Sequence, residues 1–189
     1  LWVNRIGGLE VENTAGIQFQ NDVIDNGLLS TKQRQTLSTT RKDHINQNSI
    51  GLYYQNSIQW LEKFRSVAGV RSDYYWFDVS SHQAVNSGKR YDSITNPKIS
   101  LIFGPWAQTE FYFNYGGGFH SNDARGTTTT VDPKSGDPVN RVNPLVRSTG
   151  YEVGVRTAIV PGLQASFAAF RLDMDSELLF VGDAGTTEA

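Results

Sequence analysis

Residues 49–60 read SIGLYYQNSIQW. Ile50, Leu52, Tyr54, Ile58 and Trp60 fall on one alternating set, with Asn56 the exception, and Ser49, Gly51, Tyr53, Gln55, Ser57 and Gln59 fill the other. Successive side chains of a strand point to opposite faces, so this pattern predicts a strand with one apolar and one polar face. The same period recurs downstream. Thr109, Phe111, Phe113 and Tyr115 alternate with Glu110, Tyr112 and Asn114, and Tyr151, Val153, Val155 and Thr157 alternate with Gly150, Glu152, Gly154 and Arg156. Ile99, Leu101 and Phe103 oppose Lys98, Ser100 and Gly104. In 163–175 the apolar set moves from Leu163, Ala165, Phe167 and Ala169 to Phe170, Leu172 and Met174, a slip that predicts a β-bulge.

Extended along the chain, the reading predicts strands over 14–25, 44–60, 65–79, 94–103, 108–116, 148–158 and 163–175, with a weakly signalled one in 2–10. Tight turns are expected at 61–64, 104–107 and 159–162, the last two carrying Pro and Gly. Long links are expected at 26–43, 80–93 and 117–147, rich in Ser, Thr, Asn, Asp and Gly. Short and long links alternate. In an up-and-down meander all short turns then lie at one end and all long loops at the other, the asymmetry of a barrel that spans an outer membrane. The fold class expected is all-β: an antiparallel up-and-down meander of about seven or eight strands, part of a transmembrane β-barrel.

The aromatics suit that reading. Trp60 and Trp106 sit beside short turns, and Tyr74, Trp76 and Tyr115 lie towards the long-loop end, where the two interfacial girdles belong. Ser49, Gln55, Ser57, Gln59, Glu152 and Arg156 would line a watery lumen. A soluble sandwich or lipocalin-like barrel alternates too, but the loop lengths and tryptophan positions favour the membrane.

The composition excludes several classes. The 189 residues carry 17 basic and 19 acidic side chains, net −2, which gives no reason to expect a nucleic-acid partner. The absence of cysteine removes disulfides, thiolate metal sites and cysteine nucleophiles. No apolar run approaches the roughly 20 residues of a membrane helix.

Three stretches resemble the barrel domain of TonB-dependent outer-membrane receptors. They are Asn96-Pro97-Lys98-Ile99-Ser100-Leu101; the segment 109–126, TEFYFNYGGGFHSNDARG; and 144–183, with PLVRSTGYEVG, Pro161-Gly162-Leu163 and the run DSELLFVGDAG that starts at Asp175 and carries the likeness on to Gly185. The run from Gly118 to Gly126 is the most specific, and the likeness extends upstream to about residue 14. The resemblance implies a barrel of about 22 strands closed around an N-terminal plug. It also implies import of a scarce solute (siderophore, cobalamin, metal or sugar) across the outer membrane of a Gram-negative bacterium. The implied partners are outer-membrane lipid, a small-molecule or metal-chelate ligand, and the TonB complex acting through the plug. No plug-like or TonB-box-like segment is present, so residues 1–189 are expected to be a middle-to-late piece of the barrel domain. The rival reading is a complete eight-stranded outer-membrane or lipocalin-like barrel with a structural or ligand-binding role.

No cofactor, metal site or catalytic residue is expected. Gly116-Gly117-Gly118 lacks the third glycine of a dinucleotide fingerprint, since position 121 is Ser. His44, His82 and His120 are far apart in sequence, and no G-x-S-x-G elbow exists. An outer-membrane hydrolase is the one enzyme class weighed, and the chain is expected not to be an enzyme. His120, Asn122, Asp123 and Arg125 are the candidates for contacting ligand or gating a vestibule. Their plainer reading is local: Asp123 pairs with Arg125 to fold the loop, and Asn122 makes a turn. The segment Thr127–Pro138 reads as flexible.

Overall fold

The computed structural model describes residues 1–176, 179–181 and 186–188. Eight strands form one antiparallel sheet in chain order: β1 (Trp2–Ile6), β2 (Leu9–Lys32), β3 (Gln35–Leu61), β4 (Phe64–Ser81), β5 (Gly88–Trp106), β6 (Thr109–Ser121), β7 (Leu145–Thr157) and β8 (Ala165–Met174). A short helix, α1 (Ala124–Thr128), lies between β6 and β7, and β9 (Leu179–Val181) pairs with β10 (Thr186–Glu188) in a separate hairpin. The fold is thus the expected all-β up-and-down meander. Among the described residues β1 and β8 do not pair, so the sheet does not close as a complete eight-stranded barrel would.

Register decides the two faces, because residues paired across an antiparallel ladder share a side. One face carries Ile17 opposite Leu52, Phe19 opposite Ile50, Tyr54 opposite Val70, Leu101 opposite Phe113, and Phe111 opposite Val155. Most of these large apolar groups stand exposed, Ile17 and Phe19 each to 66%, as does Val153 on the same face, to 58%. The other face carries Gln18, Gln55, Arg71, Asp73, Lys98, Asn114, Glu152 and Arg156. An apolar exposed face opposite a polar one is the lipid-out, lumen-in arrangement of a membrane barrel wall. On the polar face, Tyr53 lies across Gly16 and Tyr112 across Gly154; any Cβ at either glycine would run into the ring.

The strands run further than the periodicity predicts, and four expectations are corrected. The expected 26–43 loop is a ladder with register shifts between Leu28 and Leu29 and between Ser30 and Thr31, closed by a two-residue turn at Gln33-Arg34, both at positive φ. Two-residue hairpins of this hand normally use Asn-Gly or Gly-Gly, so Gln-Arg gives no signal. The strict alternation of short and long links therefore fails there. The turn expected at 104–107 sits at Ala107-Gln108, again two non-glycine residues at positive φ, and β5 runs on through Trp106. The bulge expected in 163–175 is absent: β8 pairs with β7 in unbroken register from Thr157↔Ala165 to Ser148↔Met174. Phe170, Leu172 and Met174 simply lie on the otherwise polar face. Residues 2–10, finally, are two strands joined by Gly7-Gly8 rather than one.

The buried core lies towards the long-loop end. Ile45, Phe77, Val79 and Ile94, all on the polar face by register, cluster with Ala124 and Leu145; Tyr75 and Phe119 pack against them. The connection between β6 and β7 is folded back over that face, and α1 packs against β3, β4 and β5.

Candidate functional site

The site is the polar face at its loop end together with the 122–144 connection that covers it. Asn122 is buried; its backbone N–H donates to Pro144 O at 2.8 Å and its amide to Asn143 O at 2.7 Å, closing the base of the loop. Asp123 caps α1 by accepting from Arg125 N at 2.9 Å, an ordinary N-cap. Its carboxylate also accepts from Arg125 Nε at 2.9 and 3.0 Å and from Arg125 Nη2. Burial alone would raise the Asp123 pKa. The hydrogen bonds and charge of Arg125, with Arg41 beyond, override it and hold the group below its ordinary value of 3.8. The Arg125 guanidinium is raised in turn, first by its hydrogen bond to Asp123. His120 is half-buried opposite Val146. Three of the four candidate residues are thus joined in the base of the loop, and His120 stands apart in the strand.

Beneath α1 lies a second pair. Arg41 Nε donates to the buried Asp43 carboxylate, and Arg41 Nη2 donates to Thr129 Oγ1 at 3.1 Å. Thr127 and Thr128 are fully buried, and Asp132 Oδ1 accepts from the N–H groups of Lys134 and Ser135 at 2.8 and 2.7 Å. The segment read as flexible is therefore packed and bonded. The threonine run gives the loop β-branched methyls to bury, a signal that composition mistakes for polarity.

Asn86 is the residue that sequence reasoning missed. Within Val85-Asn86-Ser87-Gly88 it reads only as turn punctuation. It is 1% exposed and bonds to Thr130, Val131 and Gln83.

Further along the polar face, Arg156 pairs with Glu110 at 2.6 Å, Arg71 with Asp73 at 2.6 Å, and Asn114 donates to Glu152 at 2.9 Å. Of the aromatics expected at the girdles, Trp60 and Trp106 stand 42% and 46% exposed beside the 62–63 and 107–108 turns. Tyr74 and Trp76 are exposed at the other end, and Tyr115 meets Tyr151 at 5.3 Å on the same apolar face. Among the described residues no three His, Asp or Glu side chains gather around a point, and no serine hydroxyl meets an imidazole.

The family model for the TonB-dependent receptor-like β-barrel matches residues 1–189. The metal-pseudopaline receptor CntO of Pseudomonas aeruginosa is 25% identical over 138 residues, 69% of this chain and 18% of CntO. The ferric-catecholate import receptor Fiu of E. coli K12, in its closed form, superposes with a TM-score of 0.69 at 13% identity, over 98% of this chain and 31% of Fiu. The alcaligin outer-membrane receptor FauA of Bordetella pertussis gives 0.66 at 19% identity, over 99% of this chain and 31% of FauA. At those identities the likeness to the solved structures is one of fold. The chain spans about a fifth of the length of CntO.

Proposed function

The chain belongs to the TonB-dependent receptor β-barrel family, and from that premise we propose that it forms part of the wall of an outer-membrane receptor importing a scarce solute, with a metal chelate as cargo. The observation that carries the reading is the division of the sheet. One face exposes Ile17, Phe19, Leu52, Phe111 and Val153, which water would not favour and lipid would. The other presents paired charges and amides to a lumen. The relatives' names speak for a chelated metal: CntO is a metal-pseudopaline receptor and Fiu a ferric-catecholate import receptor. Energy coupling through TonB comes with the family. No residue of this wall is assigned catalytic work, and the reading is of a receptor and transporter rather than an enzyme. In this reading Trp60 and Trp106 mark the periplasmic interface and Tyr74, Trp76 and Tyr115 the outer one. The 122–144 loop then lies at the extracellular mouth, where Asp123 and Arg125 shape the vestibule.

The test is uptake by cells producing the full-length receptor, supplied with radiolabelled ferric, nickel and zinc chelates, with and without TonB. Receptor- and TonB-dependent uptake of at least one chelate is expected. Uptake indifferent to TonB, or absent for every chelate with the receptor present at the surface, would overturn the proposal.

A further inference from the structure

On the polar face, Lys98, Gly116, Gly150 and Leu172 stand in one row across β5, β6, β7 and β8. Nothing local demands glycine at the two middle places. Neither is at positive φ. A Cβ at Gly116 would meet only Lys98 Cβ, at 3.8 Å, and one at Gly150 would meet Gly116 O and Leu172 Cδ1, both at 3.9 Å. Those are ordinary contacts, so the pair keeps side chains off the wall without serving its packing. Three ladder steps of about 4.8 Å separate Lys98 from Leu172, which leaves a bare floor about 14 Å from rim to rim.

The two rims differ in chemistry. Unlike Arg71 and Arg156, which hold Asp73 and Glu110, Lys98 has no hydrogen-bond or ion-pair partner among the described residues. Asn96, one row above it on β5, is buried, and its Oδ1 has no partner. That oxygen is aimed at Gly117, 3.1 Å from where a Cβ would stand. On the far rim Phe170, Leu172 and Met174 are exposed. The lower border is Glu152, which accepts from Asn114 at 2.9 Å and whose charge directs an anion to the Lys98 side. Tyr115 and Tyr151, the chain neighbours of Gly116 and Gly150, meet on the opposite, apolar face. In the transport reading this sets the floor at the height of the outer interface, within reach of a solute entering from outside the cell.

An apolar rim open to a watery lumen is unfavourable until something covers it. A bare floor, an apolar rim and a free cation together match a flat apolar body laid on the glycine backbone, with its negative charge towards β5. We propose that the Gly116–Gly150 floor is a binding subsite for an anionic chelate with aromatic groups, its rings against Phe170, Leu172 and Met174 and its charge at Lys98. This names the cargo within the transport reading and rests on it.

The test is equilibrium dialysis of the purified full-length receptor in detergent against two radiolabelled ferric complexes. One is of a hexadentate tris-catecholate, anionic and aromatic; the other is of a hexadentate tris-hydroxamate, neutral and aliphatic. The catecholate complex is expected to bind ~10-fold or more tightly than the neutral one. Lys98→Gln should weaken catecholate binding ~10-fold, the loss of one charged partner, and leave the neutral complex unaffected. Gly150→Leu fills the floor and should weaken catecholate binding by a similar factor. If Gly150→Leu fails to reach the outer membrane, Leu172→Asn, at an exposed position, decides in its place. A receptor that does not bind the catecholate complex, or binds it equally well with Lys98 replaced and the floor filled, would overturn the subsite. A neutral complex bound as tightly as the anionic one would overturn the charge preference. Import of a chelate by a receptor whose binding ignores these variants would defeat the subsite and leave the transport reading. Variant-sensitive binding in a receptor that imports nothing would leave the subsite and defeat the transport reading.

Discussion

Asn56 interrupts the apolar set of residues 49–60, and register leaves it on the apolar face, opposite Asn13. Asn13 Oδ1 accepts from Tyr54 Oη at 2.6 Å and from Asn56 Nδ2 at 3.0 Å, and Asn13 itself is 4% exposed. Lipid offers no partner to a stray amide, so the wall satisfies the group internally. Replacing Asn13 by Leu strands the Tyr54 hydroxyl and the Asn56 amide, at a cost of about 1–3 kcal/mol. The double change Asn13→Leu with Asn56→Leu should recover part of that loss. Urea midpoints of the full-length receptor in vesicles measure both, and a double variant no better than the single would show that the amides are not coupled. Gly154→Ala is a steric case on the opposite face. A Cβ there would overlap the Tyr112 ring and come within 2.8 Å of Phe167 O, which is backbone and cannot swing aside. A loss of about 1–3 kcal/mol is expected by the same assay, as for other overpacked sites.

At the level of elements, strands with one exposed apolar face were legible because the period of two survives wherever lipid selects one side. It fades where β2 and β3 continue into water. There polar residues dominate and Leu28 and Leu29 are adjacent, so no period of two survives and only the backbone ladder persists; 26–43 therefore read as a loop. The turns at 33–34 and 107–108 use Gln-Arg and Ala-Gln, which carry none of the usual turn chemistry. In the 122–144 loop, the pairing of Asp123 with Arg125 was legible from their spacing, whereas the Asn86 contacts, which join residues about 45 positions apart, were not. The same pair gives a pH prediction. The Asp123 carboxylate is held below 3.8 in the folded loop, so its stabilising contribution is complete above that value and is lost as pH falls through the lower, folded one. Hydrogen exchange at the α1 amides should therefore be protected evenly from neutral pH to about pH 5, after correction for intrinsic rates, and weaken only in stronger acid. Asp123→Asn keeps an N-cap acceptor but leaves the Arg125 guanidinium without its charge partner. It should lower protection at neutral pH towards the level the native loop reaches in strong acid, and abolish the acid step; an acid step that persists would place the titration on another group.

For the molecule as a whole, the two faces imply a definite placement in a bilayer. Trp60 and Trp106 stand beside neighbouring turns at one end, and Trp106 packs against Phe111 of the apolar face. In the full-length receptor, lipids brominated at graded acyl depths should quench both tryptophans, shallow positions most strongly. Insensitivity of both would reverse the assignment of faces. Residues 1–189 alone are a different object. Among the described residues the sheet has two edges, β1 and β8, with unpaired backbone groups, and β8 leaves Phe167 and Phe170 more than 70% exposed. In water, open edges recruit strands from other chains, and the apolar face adds a driving force for association that no soluble core offsets. The isolated segment is therefore expected to sediment as aggregates without detergent and to show no cooperative thermal transition. Analytical ultracentrifugation with calorimetry checks both points. A monodisperse monomer that unfolds sharply and reversibly would mean that the apolar face finds cover within this chain, and the reading of the sheet as a fragment of a lipid-embedded wall would fall with it.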